Sequence, residues 1–231
     1  MKTVILVPVK DLVRAKARMS SFLSPEDRRR LAFAMFEDLI SALRPLSVPV
    51  ALVTDSENAA RLGRKLGWKV LLETVQITES ASVDEASKSL AAEGAKGVLR
   101  LPADIPLTRA PDIRQVIDAN PGRRSAVIVP SWDRMGTNAL LRTPPDLFPS
   151  RFGHNSLVLH THESLRMGAR LEILENRRIA LDLDDAADLF RFLDEESDTA
   201  TSRLLEKLCI KERLAEGEKG KHQHPGSVRH P

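Results

Sequence analysis

The sequence has a single cysteine, Cys209, among its 231 residues. One thiol cannot form a disulfide within its own chain, so the cysteine content gives no sign of an oxidising compartment. Residues 1–10 form an apolar run that is far shorter than a membrane span and lacks the basic start and cleavage site of a secretion signal. We therefore expect a cytoplasmic protein with no membrane partner.

Aromatic residues are also scarce, with seven Phe, two Trp and no Tyr. Few side chains are thus available for stacking nucleic-acid bases. An isoelectric point near 9.2 would favour a polyanionic partner. However, residues 211–231 carry five Lys or Arg against three Asp or Glu, and so supply +2 of the net charge of +3. The rest of the chain is nearly neutral, and we expect no nucleic acid as a partner.

The same C-terminal stretch contains Gly, Pro and three of the six histidines, and it shows no apolar periodicity. Such a composition is typical of disordered segments. The remaining chain is long enough to bury one sizeable core, and its hydrophobic and charged contents are ordinary for a globular protein. We predict one domain over residues 1–210, followed by a disordered polar tail over residues 211–231.

Apolar, β-rich runs alternate with helical patterns through the first part of the chain. The strands are predicted at residues 3–9, 48–54, 68–72, 98–101 and 125–129. Helix starts are predicted at Ser24-Pro25, at Ser56, at Ser82 with the capping-box spacing to Glu85, and at Thr108. Strands separated by helices need crossover connections, which build a largely parallel sheet. The prediction is an α/β fold, a three-layer Rossmann-like sandwich.

Shorter elements are predicted after Asn138. They are strands at 139–141, 171–174 and 179–181, a helix over 156–167, and two helices after Asp185. Ligands of open α/β sheets bind beyond the carboxyl ends of the strands. The loops that follow strands are therefore the candidate sites.

The loop after the first strand carries four cations, Lys10, Arg14, Lys16 and Arg18. They could neutralise a triphosphate while backbone amides approach it. The loop lacks the glycines of a Walker motif. A solvated basic loop is the alternative interpretation.

Carboxylates follow two later strands. Asp104 stands in a turn between Pro102 and Pro106, and Asp182 and Asp184 would share one face of a strand. Two carboxylates so close repel each other unless a cation lies between them. Together with Asp104 they predict a Mg²⁺ site. The alternatives are an ordinary turn aspartate and a helix cap.

A polar loop with glycine and serine precedes the predicted helix at 156–167. Backbone amides of residues 153–156 and the Ser156 hydroxyl could hold an anion at the helix N-terminus, near Thr137. We interpret His154 as a hydrogen-bonding group rather than a general base. His160 and His162 do not face each other on a helix and make a poor metal pair.

In this order the motifs resemble the phospholactate guanylyltransferase family of coenzyme F-420 biosynthesis, which includes phosphoenolpyruvate and 3-phospho-D-glycerate guanylyltransferases. The matching segments are Pro8-Val9-Lys10, Ala15-Lys16-Ala17-Arg18, Leu101-Pro102-Ala103-Asp104-Ile105-Pro106, Gly136-Thr137-Asn138-Ala139-Leu140-Leu141, Phe152-Gly153-His154-Asn155-Ser156 and Asp182-Leu183-Asp184. The resemblance implies a nucleotidyltransferase fold and transfer of GMP from GTP to a phosphorylated three-carbon acid, with release of pyrophosphate. Many relatives have Gly-Leu-Asn in place of Ser82-Val83-Asp84 and Thr-Pro in place of Asp185-Ala186, and the choice among the three acids stays open.

The resemblance also implies roles for particular residues. The nucleotide would contact Pro8, Val9, Lys10, Lys16, Arg18, Ser82, Asp84 and Pro102; the acceptor would contact Thr137, Gly153 and Ser156; Mg²⁺ would bind Asp104, Asp182 and Asp184; Lys16 and Asp104 would be catalytic. The acceptor phosphate is ionised at neutral pH, so no general base is needed. The expected partners are GTP and a small phosphorylated acid, and a homodimer stays open. The alternatives are a related nucleotidyltransferase with a sugar-phosphate or molybdenum-cofactor acceptor, and a non-catalytic nucleotide-binding module.

Overall fold

Seven strands form one central sheet in the computed structural model, which describes residues 2–10, 16–74 and 78–213. The strands are β1 Thr3–Pro8, β2 Val50–Thr54, β3 Lys69–Leu72, β4 Gly97–Arg100, β5 Ser125–Pro130, β6 Thr137–Thr143 and β7 Arg170–Ile173. Their order across the sheet is β3-β2-β1-β4-β6-β5-β7. β6 runs antiparallel to both of its neighbours, and the other pairs are parallel. The predicted α/β fold with a mostly parallel sheet is confirmed.

Helices cover both faces of this sheet. They are α1 Pro25–Leu43, α2 Glu57–Lys65, α3 Glu79–Ala92, α4 Ala110–Asp118, α5 Ser156–Arg166, α6 Arg177–Ala180, α7 Ala186–Leu193 and α8 Ala200–Lys207, with a short 3-10 helix at Ala17–Met19. Alternate residues of β1 show the layering, because successive side chains of a strand point to opposite faces. Ile5 packs in one cluster with Leu39 of α1, whereas Leu6 packs in another with Val83 of α3. The sheet is therefore the middle of three layers.

Two predicted helix starts are confirmed by their caps. The Ser24 hydroxyl accepts a hydrogen bond from the Asp27 amide at 3.1 Å, with Pro25 following at the first helical position. Ser56 caps α2 in the same way. Such caps satisfy amides that have no partner within the helix.

The predicted start of α3 at Ser82 is wrong. Thr78 is the cap, its hydroxyl accepting from the Ala81 amide at 3.3 Å, and the helix begins at Glu79. Ser82 lies inside the helix and is buried. The spacing of Ser82 and Glu85 imitates a capping box, but the preceding residues already have helical geometry.

The predicted strand at residues 179–181 is also wrong. Asn176 caps a helical turn there, because its side-chain oxygen accepts from the amides of Arg178 and Ile179 at 3.1 and 3.0 Å. Ile179 is fully buried in the main core cluster. Residues 181–184 then continue without regular structure, and the Leu183 amide donates to the Asp104 carbonyl at 3.1 Å. Asp182 and Asp184 are therefore placed by a loop and not by a strand.

After α8, a turn at residues 208–209 leads to a short helical segment at residues 210–213, where the described chain ends. The Arg213 guanidinium lies 3.3 Å from the Asp27 carboxylate of α1. The remainder of the predicted tail, residues 214–231, lies outside the described residues. Over the described part of the chain, no helix is long and apolar enough to cross a membrane.

Candidate active site

A cavity of about 600 Å³ opens at the carboxyl edge of the parallel strands. Four segments converge there: the turn after β4, the loop between β5 and β6, the loop before α5, and the loop that leads into α7. Because β6 is antiparallel, its first residue, Thr137, lies at the same edge as the ends of β4 and β5. The predicted residues that line this cavity are Arg18, Pro102, Asp104, Thr137, Gly153, Ser156, Asp182 and Asp184.

We name the end of the cavity that is lined by Asp104, Asp182 and Asp184 the acidic end. Lys16 pairs with two of these carboxylates. Its ammonium nitrogen lies 2.7 Å from Asp104 Oδ2 and 2.7 Å from Asp184 Oδ1. Burial alone would lower the pKa of Lys16, but the two carboxylates outweigh burial and raise it. Lys16 is therefore charged and shared between two predicted metal ligands, and its predicted contact with a triphosphate stays a prediction.

Two carboxylates of the acidic end, Asp104 and Asp182, have pKa values that are shifted in opposite directions. Burial by itself would raise the pKa of Asp104, but Lys16 and Arg100 lower it below its ordinary value. Burial, with the nearby Asp104 charge, raises the pKa of Asp182 to about 7. The Asn138 amide nitrogen donates to Asp182 Oδ1 at 3.0 Å and so positions this carboxylate. Sequence analysis did not assign this role to Asn138, which lies within the Gly136-Thr137-Asn138 motif.

Asp104, Asp182 and Asp184 are the predicted ligands of a metal ion. Within residues 2–10, 16–74 and 78–213, no three His, Cys, Asp or Glu side chains are grouped as a metal site. Instead, the Lys16 ammonium lies where the oxygens of Asp104 and Asp184 converge. Mg²⁺ takes one or two protein carboxylates and completes its coordination with phosphate oxygens and water. The oxygen donors of Asp104, Asp182 and Asp184 match that chemistry, and Mg²⁺ binding stays a prediction.

The other end of the cavity is formed by neutral hydrogen-bond donors. Thr137 is the first residue of β6 and lines the cavity. Ser156 is the first residue of α5, so the N-terminal turn of that helix faces the cavity. Gly153 has a φ of +118°, a conformation that side-chain-bearing residues rarely adopt. We name Thr137, Gly153 and Ser156 the neutral end. The structure brings together all three predicted acceptor residues.

The predicted nucleotide-binding residues are spread more widely than the three acceptor residues. Pro8 is the last residue of β1, Val9 and Lys10 follow it, and the Val9 amide donates to the Val53 carbonyl at 2.9 Å. The Arg18 guanidinium is exposed at the cavity, 3.9 Å from the Asp184 carboxylate. Arg14, the remaining cation of the predicted phosphate loop, lies outside the described residues.

Ser82 and Asp84 of α3 do not line the cavity. The Asp84 carboxylate accepts from the Ser150 amide at 2.9 Å, the Ser150 hydroxyl at 2.7 Å and the Arg142 guanidinium at 2.8 Å. It therefore anchors the loop before α5 to α3. The Ser82 hydroxyl is buried and has no hydrogen-bond partner within the described part of the chain. Nucleotide binding by these two residues stays a prediction.

A polar cluster around the buried Arg100, which also lines the cavity, was not predicted from the sequence. Arg100 donates to the carbonyls of Thr137 and Asn138 at 3.3 and 3.2 Å, pairs with Glu79, and lies 4.3 Å from the centroid of the Phe152 ring. An arginine at the end of a buried strand was the available signal, since unpaired charges are costly inside a protein.

The histidines differ in their surroundings. His154 lines the cavity and is exposed. His160 is fully buried and hydrogen-bonded to Thr137, whereas His162 is exposed. His160 and His162 therefore lie on different faces of α5.

Comparisons with known proteins agree with the geometry. Residues 3–224 match the family described as "Guanylyl transferase CofC like". The chain is 34% identical over 191 residues to the phosphoenolpyruvate guanylyltransferase of Rubrobacter xylanophilus, covering 83% of this chain and 93% of that protein. It is 30% identical over 208 residues to the 2-phospho-L-lactate guanylyltransferase of Methanothermobacter thermautotrophicus, covering 90% and 92%.

Among solved structures, a Desulfovibrio desulfuricans G20 protein assigned to the nucleotide-diphospho-sugar transferases superimposes with a TM-score of 0.76. The two are 16% identical, and the match covers 94% of this chain and 98% of the other. This likeness supports the nucleotidyltransferase type of fold. The extent of the family match and the identity to two guanylyltransferases show that this chain belongs to the CofC-like guanylyl transferase family.

Proposed function

We propose that this protein transfers GMP from GTP to a phosphorylated three-carbon acid in coenzyme F-420 biosynthesis, with Mg²⁺ as its cofactor. The candidate acids are phosphoenolpyruvate, 2-phospho-L-lactate and 3-phospho-D-glycerate. The observation that carries the proposal is one cavity with an acidic end, formed by Asp104, Asp182 and Asp184, and a neutral end suited to an anion. Relatives named for the first two acids support the same reaction type.

The proposed reaction is a direct displacement. A phosphate oxygen of the acid forms a bond to the α-phosphorus of GTP, the bond between that phosphorus and the α–β bridging oxygen breaks, and pyrophosphate leaves. The attacking oxygen is already ionised, so no proton has to be removed. Catalysis then depends on positioning the two anions and offsetting their charge.

The residues divide this work between the two ends of the cavity. The neutral end holds the acid through hydroxyl and backbone donors, which bind an anion without bringing a mobile counter-charge. Asp104, Asp182 and Asp184 would hold Mg²⁺, which when bound supplies positive charge to the reacting phosphates. Lys16 and Arg18 lie beside these carboxylates and provide cations for the triphosphate.

Pyrophosphate release tests the proposal. The purified protein is incubated with Mg²⁺, with GTP, ATP, CTP or UTP, and in turn with each of the three acids, with a sugar phosphate, and with no acceptor. We expect release with GTP and one acid, and loss of that release when EDTA removes divalent metal. A protein that releases pyrophosphate with a sugar phosphate instead, or with no acceptor at all, would contradict the proposed reaction.

A further inference from the structure

His160 of α5 connects the loop before that helix to the first residue of β6. Its Nε2 lies 2.7 Å from the Arg151 backbone nitrogen, and its Nδ1 lies 3.0 Å from Thr137 Oγ1. The imidazole is fully buried, with the Phe152 ring packed edge-on against it at 4.9 Å between centroids. Both ring nitrogens therefore have partners inside the protein.

The partner of Nε2 decides which nitrogen carries the proton. A backbone amide can only donate, so Nε2 must accept from Arg151 and cannot be protonated. A neutral imidazole then carries its hydrogen on Nδ1 and donates it to the Thr137 hydroxyl oxygen. Burial, together with the Arg142 and Arg100 charges, lowers the pKa of His160 to about 3. The ring is therefore neutral at physiological pH.

The proton of the Thr137 hydroxyl is left for another acceptor. Thr137 Oγ1 already receives a hydrogen bond from His160, and its own hydrogen meets no acceptor in residues 2–10, 16–74 and 78–213. Thr137 lines the cavity beside Gly153 and Ser156. An anion in that cavity is the acceptor that remains.

We infer that His160 is a positioning residue which commits the Thr137 hydroxyl to donate its proton to the anionic acceptor substrate. The inference rests on the proposed function, because it takes the neutral end as the site of the phosphorylated acid. His160 itself touches no substrate. It acts through Thr137.

Two amide substitutions of His160 test its two hydrogen bonds, to the Arg151 amide and to the Thr137 hydroxyl, one at a time. In His160→Asn, the amide nitrogen takes the place of Nδ1 and can still donate to Thr137. In His160→Gln, the amide oxygen takes the place of Nε2, so the Arg151 bond is kept and the donor to Thr137 is lost. We expect His160→Gln to raise the KM for the acid about tenfold, with the KM for GTP changed less than about twofold. His160→Asn should raise the acid KM less than about threefold.

A double-mutant cycle with Thr137 tests whether His160 acts through that hydroxyl. Thr137→Val should raise the acid KM about tenfold, and Thr137→Ser should restore it, because only serine keeps the hydroxyl. In the Thr137→Val background, His160→Gln should cause no further rise, since coupled residues are not additive. Equal effects of His160→Gln with and without the Thr137 hydroxyl would overturn the inference, as would a rise in the KM for GTP.

Nitrogen-15 NMR of the histidine-labelled wild-type protein tests the tautomer without any variant. His160 should show a protonated Nδ1 and an unprotonated Nε2 at pH 7, and its signals should shift when phosphoenolpyruvate or the other acids are added. A protonated Nε2, or no shift with any acid, would overturn the inference. If the wild-type protein releases no pyrophosphate, the proposed function fails, and these NMR results still decide the role of His160.

Discussion

The two ends of the cavity differ in the kind of side chain that lines them and in what holds those side chains in place. At the acidic end, three carboxylates and one ammonium from separate segments of the chain lie close together; Lys16 lowers the pKa of Asp104, whereas burial and the Asp104 charge raise the pKa of Asp182. At the neutral end, hydroxyls and a helix N-terminus are supported by a buried polar cluster of Arg100 and His160. The charged side chains are concentrated at the acidic end, where the α-phosphorus would react. The hydrogen-bond donors are held in fixed positions at the neutral end, where the acid would be selected.

This contrast makes the two ends respond differently to substitution. Removing a charge from the acidic end alters the field on the reacting atoms and should reduce turnover. Removing a donor from the neutral end should reduce affinity for one substrate and leave turnover at saturation largely intact.

Asp104→Asn should have the largest effect, a loss in kcat on the order of 10²–10³-fold, because it removes a charge that would hold metal on the reacting phosphates. The fold should survive, since Asp104 lies half-buried at the cavity, asparagine has nearly the same shape, and Lys16 keeps its bond to Asp184. Asp185→Asn is the matched control, because Asp185 lines the same cavity but caps α7, and asparagine caps a helix equally well. Steady-state pyrophosphate release and thermal melting measure both variants. Full activity of Asp104→Asn in Mg²⁺ would remove Asp104 from the catalytic residues.

Ser156→Ala should raise the KM for the acid by about tenfold to a hundredfold, because a lost hydrogen bond to a charged group costs roughly 1.5–3 kcal/mol. The KM for GTP should hardly change. The acids are titrated at saturating GTP, and GTP is titrated at saturating acid. If the variant instead weakened GTP and spared every acid, the loop before α5 would belong to the nucleotide.

Lys16→Ala should weaken GTP about tenfold and affect the acid less. The substitution takes one cation away from the triphosphate and leaves Asp104 and Asp184 with uncompensated negative charge. Lys88→Ala, on the exposed side of α3, controls for the loss of a lysine elsewhere. Nucleotide affinity measured by calorimetry should separate the two variants, and an unchanged affinity would confine Lys16 to its carboxylate partners.

The pH dependence of stability should report on His160. Its pKa of about 3 in the folded protein is below the ordinary value of 6.5, so the unfolded chain binds more protons between these values. The stability that the neutral ring contributes is present above pH 6.5 and declines as the pH falls toward 3, by up to about 1.4 kcal/mol per pH unit. Denaturant unfolding of wild type and His160→Gln between pH 7 and pH 5 should show a shallower slope for the variant. Parallel slopes would mean that His160 does not titrate on unfolding.

Removing residues 214–231 should have the smallest effect, with kcat and both KM values changed less than about twofold. That segment has no apolar periodicity to bury against the domain. Arg213 and its contact with Asp27 are kept in this truncation. A large fall in melting temperature or in activity would show that the segment docks.

Much of the fold follows from local chemistry that is visible in the sequence. Apolar runs such as that of β1 and caps such as Ser24-Pro25 depend on neighbours within a few residues, so they could be predicted. Ser82 and the segment 179–181 were misassigned because local patterns there imitate a cap and a strand. Thr78 and Asn176 decide those elements through bonds that compete with the apparent pattern.

The chemistry-bearing residues can be identified from the sequence, because carboxylates after strands, hydroxyls before a helix and a basic loop are each local in the chain. How these residues pair depends on the tertiary structure. Lys16 meets Asp104 and Asp184 across 88 and 168 residues, Asn138 reaches Asp182 across 44, and His160 reaches Thr137 across 23. Such contacts depend on strand order and on the antiparallel insertion of β6, which no local pattern encodes. Burial then sets their pKa values, since the cost of a charge depends on what surrounds it in space and not on its neighbours in the chain.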